Sequence, residues 1–210
     1  MRARAPAPGQ FLEWADTLCP NVRVAPCSST ARWGFVYAAG DLLDSYSQPD
    51  LTYFKVYHGW TASLHALREI IPTNHTVLLR NPSDRPIGYW PRGDSEGGGR
   101  YVVEAIEYLD EPGEWFFNAT SHQVLYIPEV GESEPQDGDF FASGHSNVLT
   151  LAGAHDITFS GLSFRHASWV CNFGGQQVCD SQSTNWQDYA TVHVTNGSTR
   201  VAVVNSEVSG

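Results

Sequence analysis

The side chains best suited to chemistry gather in the last third of the chain. Asp180, Asp188 and Glu207 are carboxylic acids, and His166, Trp169 and Trp186 stand near them in sequence as polar and stacking partners. Cleavage of a glycosidic bond needs two carboxyl groups about 5 to 9 Å apart, one to protonate the leaving oxygen and one to act as nucleophile or to activate water. Aromatic rings add flat apolar faces on which sugar rings stack. Each residue also has a plainer role open to it. Glu207 lies beside Val208 at an outward strand position, where an acid usually solvates the surface. His166 follows Phe164 at strand alternation and fits equally as a satisfied buried histidine.

Other chemistries lack their residues. The chain has no phosphate-binding glycine loop ending in Lys-Ser/Thr, no H-E-x-x-H, no G-x-S-x-G and no calcium-loop pattern. Asp137-Gly138-Asp139 offers two acids without further spaced ligands, so neither a metal nor a cofactor is expected. The net charge of −11 argues against nucleic acid or an anionic membrane as partner, while a neutral polysaccharide or other glycan is compatible with it. There is no apolar run of membrane-spanning length, and residues 1–20 lack the apolar stretch of a secretory signal peptide.

The cysteines nevertheless suggest an oxidising compartment. Cys19 and Cys27 form one local pair, Cys171 and Cys179 another, and neither has C-x-x-C spacing. Cys171 and Cys179 bracket a polar loop, so a disulfide closing that loop is expected. Asn74, Asn118 and Asn196 each begin an N-x-S/T sequon, whereas Pro82 disqualifies Asn81. Together they place the chain in the secretory pathway or outside the cell.

The elements that must position these residues read as β. Seven Trp, nine Tyr and ten Phe with 19 Gly and 12 Pro favour an all-β protein with many turns. Residues 1–32 open with a biased Arg-Ala-Pro segment and are expected to be disordered or poorly defined. Residues 33–135 read as a small β-rich subdomain, with strands at 33–37, 51–57 and 76–79 and a long loop over 81–100. Residues 60–71 are ambiguous, because Leu64, Leu67 and Ile71 have helical spacing.

From residue 136 onward an internal repeat appears. Leu149/Leu151, Ile157/Phe159 and Leu162/Phe164 return about 43 to 44 positions later as Val192/Val194, Val201/Val203 and Ser206/Val208. Short alternating strands of this kind suit the coils of a parallel β-solenoid, with residues 169–190 ejected as an excursion on its binding face. Two coils would leave an open apolar end, so the expectation is a piece of a longer protein.

Residues 104–132 form a unit of their own. Val103, Ile106 and Leu109 stand at near-helical spacing before Asp110-Glu111-Pro112-Gly113, a turn. Trp115-Phe116-Phe117 and Val124-Leu125-Tyr126-Ile127 follow as the arms of a hairpin. Leu109, Asp110, Pro112, Gly113, Glu114, Trp115, Leu125, Tyr126, Pro128, Gly131 and Glu132 resemble a segment of the right-handed parallel β-helix proteins related to glycoside hydrolases acting on xylans and fucosylated glycans. Ala105 and Phe116 depart from that pattern, where Asn and Tyr are usual. The run from Ile157 to Trp169, with Gly161, Phe164 and His166, resembles the same family.

The resemblance implies the start of a right-handed parallel β-helix of pectate-lyase-like fold, with residues 33–135 inserted and its first coils in 136–210. It also implies a glycoside-hydrolase-like protein that acts on or binds extracellular polysaccharide. A non-catalytic glycan-binding or structural module is the rival reading.

Overall fold

A computed structural model describes residues 2–59, 61–89, 99–133, 141–168 and 190–209. The chain divides into two compact units. The described part of the first lies within residues 2–133, and that of the second comprises 141–168 and 190–209.

The first unit is built on seven strands: β1 (Arg4–Ala5), β2 (Leu12–Thr17), β3 (Gly34–Tyr37), β4 (Tyr53–Tyr57), β5 (Ala62–Ile71), β6 (Thr76–Leu79) and β7 (Arg100–Glu104). All their pairings are antiparallel, in the order β1-β7-β2-β3-β6-β5-β4, and β7 also pairs with β4. That last pairing closes six strands into a barrel. β7 pairs with β4 along one edge over its full length, while β2 at Arg100–Tyr101 and β1 at Val103–Glu104 share its other edge. Closure removes the exposed edges of an open sheet.

The right-handed parallel β-helix expected from the sequence is therefore corrected. The chain is all-β, but its main sheet is a closed antiparallel barrel. Apolar alternation is the same in parallel and antiparallel strands, so it shows which face is buried and not which strand pairs with which. The N-terminal segment also behaves differently from its biased composition, since it contributes β1, β2 and a short helix at Cys27–Thr30. Trp14 from β2 is buried in the barrel core.

Alternation fills the barrel. Phe35 and Tyr37, Phe54 and Val56, Val77 and Leu79, and Tyr101 and Val103 all face inward. Phe54 stands opposite His65 and Val103, and Val56 opposite Ser63 and Tyr101, so β5 turns Ser63, His65 and Leu67 to the same interior. Close packing also fixes Gly34, because a Cβ there would stand 2.0 Å from the Val77 carbonyl oxygen on β6. After β7 the chain makes a 3-10 turn at Ile106–Tyr108, where the apolar spacing suggested a helix. The hairpin of β8 (Trp115–Asn118) and β9 (Gln123–Tyr126) follows, with Trp115 opposite Tyr126 and Phe117 opposite Val124.

Among its described residues the second unit holds three two-stranded parallel sheets. They pair β10 (Leu149–Ala152) with β13 (Val192–Thr195), β11 (His155–Ser160) with β14 (Thr199–Val204), and β12 (Ser163–Phe164) with β15 (Glu207–Val208). Leu149 meets Val192, Ile157 meets Val201 and Phe164 meets Val208.

Candidate functional site

The β8–β9 hairpin sorts its aromatic residues by alternation. Phe116 is fully buried, whereas Trp115 and Phe117 point the other way and are 38% and 42% exposed. Tyr126 and Val124 stand across from them on the same face. The Tyr126 hydroxyl donates to Glu132 Oε2 at 2.6 Å, and the same oxygen accepts the Glu129 backbone N–H at 2.8 Å. The Glu132 carboxylate thereby pushes the Tyr126 hydroxyl above its ordinary pKa. Arg2 sits with its guanidinium 5.9 Å from the Trp115 ring centroid and 4.6 Å from that of Tyr53, and pairs with Glu104 at 3.1 Å. The result is an outward apolar face bordered by hydrogen-bonding carboxylates. Exposed aromatic rings of this kind mark recognition surfaces.

A second constellation lies inside the barrel. His65 Nδ1 is 3.0 Å from the Asn81 carbonyl oxygen, which can only accept, so Nδ1 carries the proton. Burial holds the ring neutral by pushing its pKa down to about 3, so Nε2 is bare and accepts the Ser63 hydroxyl at 2.6 Å. With its single proton committed, Ser63 Oγ accepts from His58 Nε2–H, also at 2.6 Å. Ser83 Oγ shares that N–H at 3.1 Å. Burial likewise pushes His58 down to about 4, against a smaller opposing pull from Asp84.

Asn81 completes the arrangement. Its side-chain amide donates to the Leu64 carbonyl at 3.0 Å and accepts the Ala66 N–H at 3.1 Å, which satisfies β5 beside the irregularity between Leu67 and Glu69. A serine whose proton points at an oriented imidazole has the geometry of an activated nucleophile. Here every member is buried and burial disfavours the charged form of both imidazoles, so the group ties the interior of the barrel together.

A third cluster joins four tyrosines. Tyr46 and Tyr108 share a hydroxyl–hydroxyl bond of 3.0 Å, and burial raises both above their ordinary pKa. The Tyr101 hydroxyl faces the Asp41 carboxyl, and burial raises both above their ordinary pKa. The Tyr37 hydroxyl is buried without a partner among the described residues.

The residues singled out from the sequence fall mostly elsewhere. Glu207 is exposed and paired with Arg165, which holds its carboxyl below the ordinary range and so favours the ionised form over the protonated one a general acid needs. His166 is exposed at φ 62°, with the Phe141 ring stacked on it at 5.3 Å between centroids. Asp180, Asp188, Trp169, Trp186, Cys171 and Cys179 lie outside the described residues. The disulfide among the described residues joins Cys19 to Cys27. Asn74 and Asn196 are exposed at turns, and Asn118 ends β8 with its oxygen accepting the Thr120 and Ser121 N–H groups. Among the described residues no group of three or more His, Cys, Asp or Glu could hold a metal ion, and no helix is long and apolar enough to cross a membrane.

Comparison with protein-family profiles, with curated proteins and with solved structures found no match. The resemblance to β-helix glycoside hydrolases thus has no support from relatives, and the closed antiparallel barrel contradicts the fold it implied. The shared motif residues are accounted for locally. Glu114, buried at 3% exposure, accepts the Asp110 and Glu111 N–H groups at 3.2 and 3.3 Å and so builds the turn before the hairpin.

The sequence offered no sign of the Ser63–His65 pairing, because its members become neighbours only through strand alternation and the chain's return at Asn81. The exposed aromatic face had a signal in the W-F-F alternation of β8, although alternation alone does not tell which of the two faces is buried.

Proposed function

We propose that the protein binds extracellular glycan without cleaving it, through the outward face of the β8–β9 hairpin. The observation that carries this reading is the exposed rank of Trp115 and Phe117, with Tyr126 across the hairpin and the Glu129–Glu132 turn beside it. Sugar rings present apolar C–H faces and a rim of hydroxyls. Flat aromatics remove the first from water, and carboxylates accept hydrogen bonds from the second. The strongly negative chain favours a neutral polymer over an acidic one. Asn118 alternates to the face opposite Phe117, so a glycan attached to it would leave the aromatic face clear. The Cys19–Cys27 disulfide supports an oxidising compartment.

Affinity electrophoresis against xylan, glucomannan and cellulose derivatives tests the reading. Retardation by at least one of them is expected, weakened about tenfold by Trp115→Ala with an unchanged melting transition; that corresponds to the ~1.4 kcal/mol of one stacked ring. Failure to bind any of the polymers, or full binding by both Trp115→Ala and Phe117→Ala, would remove it.

A further inference from the structure

We propose that the His58–Ser63–His65–Ser83 chain is an acid-released latch, which fastens residues 81–89 to the β4–β5 end of the barrel while both imidazoles are neutral and frees them when either gains a proton. At His65 the geometry leaves no place for that proton. Ser63 has one hydrogen, given to His65, and it accepts one from His58. A proton on His65 Nε2 would aim N–H groups at Ser63 from both sides and leave the serine's own hydrogen without an acceptor.

Among the described residues the surroundings supply no compensating anion. On β5 the nearest charged side chains, Arg68 and Glu69, are exposed beyond Leu67. On β4, Lys55 lies over the Tyr57 ring, on the strand face opposite Phe54 and Val56. After β6, Arg80 is paired with Asp50. From residues 81–89, Asp84 pulls on His58 but is exposed and shares its charge with Arg85 at 3.5 Å. From the segment ending the short helix, Arg32 donates to the Ser83 carbonyl and adds positive charge. A charged ring would therefore be buried and unpaired, a cost that opening the segment relieves.

Apart from the histidine chain, that segment is held by Ile87 in the barrel core, by the Asn81 side chain on Leu64 and Ala66, by Arg32 on the Ser83 carbonyl and by further hydrogen bonds, none of them part of a strand ladder. Ser83 N–H donates to the Arg32 carbonyl and Ile87 N–H to the Ala31 carbonyl, each at 2.8 Å, and Arg23 reaches the Tyr89 carbonyl at 3.0 Å. The barrel strands, by contrast, are laddered on both edges. Local release is the smaller opening.

The sign of the pH effect follows from linkage. Both rings have a folded pKa below the ordinary value of about 6.5, so the closed state binds fewer protons than the open one. The latch is fully closed above about pH 6.5 and weakens as pH falls toward the folded values near 4 and 3.

Amide hydrogen exchange of the whole chain, corrected for intrinsic rates, reads this directly. Between pH 7.5 and pH 5, protection of the Ser83 and Ile87 amides should fall about thirtyfold for each histidine exposed by the opening, while near-UV circular dichroism stays native. The variants His58→Gln and His65→Asn, whose amides keep a donor in place without titrating, should each remove one such step. Flat protection at Ser83 and Ile87, or an undiminished acid step in both variants, overturns the proposal. Should the variants not fold, imidazole 15N shifts of the native protein decide it: a neutral Nδ1–H ring for His65 and a neutral Nε2–H ring for His58 at pH 6 are expected, and a charged ring there overturns it.

Discussion

Replacing Ser63 with alanine tests whether the polar interior of the barrel is a connected network or a set of incidental contacts. Ser63 makes two bonds of 2.6 Å, one to each imidazole. Its removal does not affect the two rings equally. His58 Nε2–H keeps Ser83 Oγ at 3.1 Å, but His65 Nε2 is left bare in a site with 0% exposure. One net hydrogen bond lost costs about 1 kcal/mol, and an orphaned buried acceptor adds about 1 to 3 kcal/mol, so Ser63→Ala should destabilise by about 2 to 4 kcal/mol. Urea denaturation at pH 7.5, where both imidazoles are neutral, measures this as a midpoint lowered by about 1 to 2 M. His65→Phe keeps most of the ring volume and removes the acceptor, so the double variant should recover about 1 to 2 kcal/mol relative to the sum of the single ones. A cost below about 0.5 kcal/mol for Ser63→Ala, or strict additivity in the cycle, would show that the network does not hold the barrel.

Two further perturbations probe backbone constraints. Gly34→Ala places a methyl group 2.0 Å from the Val77 carbonyl oxygen and 3.2 Å from Leu18 Cδ1, so β3 and β6 must separate; a loss of about 3 kcal/mol in urea denaturation is expected. Gly40→Ala, at φ +89° in open space, should cost only about 1 kcal/mol and serves as the control, and equal losses would refute the contact argument. In the second unit, Arg200 holds φ 53° and forms an exposed pair with Asp156. Arg200→Gly and Arg200→Ala both lose the pair, so glycine should be the more stable by about 1 kcal/mol in thermal denaturation. An advantage for alanine would mean that the left-handed backbone there is not a constraint.

Some of the fold is visible in the chain. Strands read at 33–37, 51–57 and 76–79 fall on β3, β4 and β6, and the hairpin arms fall on β8 and β9. The offset of the apolar pairs, 43 to 44 residues, is the offset at which Leu149 meets Val192 and Ile157 meets Val201. Residues 60–71 show why the rest was not visible. The ten-residue strand β5 turns Ser63 and His65 inward and leaves Leu64 half-buried on the other side, so polar residues occupy core positions and apolar alternation breaks down. What remains, Leu64, Leu67 and Ile71, imitates helical spacing. The same inversion hid the candidate latch, because an interior histidine is recognisable only once Asn81 is seen to bond to it. Closure was equally hidden, since it depends on β7 pairing with strands more than eighty residues earlier and some forty-five residues earlier, at Leu12 and at Val56.

The hairpin motif that first suggested chemistry has a structural role that bears on binding. Glu114 ties the turn through the Asp110 and Glu111 amides, and its own carbonyl accepts Ile127 N–H at 2.9 Å while Gly113 N–H donates to the Ile127 carbonyl at 2.7 Å. These bonds fix where β8 begins. Because side chains alternate with a period of two, the starting point decides that Phe116 enters the core and that Trp115 and Phe117 face outward. A slip of one residue would bury the two outward rings and expose the one inside. A carboxylate placed to hold the register of the outward aromatic face needs no exposure to solvent, which is why Glu114 can belong to a shared sequence pattern and still be almost fully buried. Any selectivity of the aromatic face then depends on this turn as much as on the rings themselves.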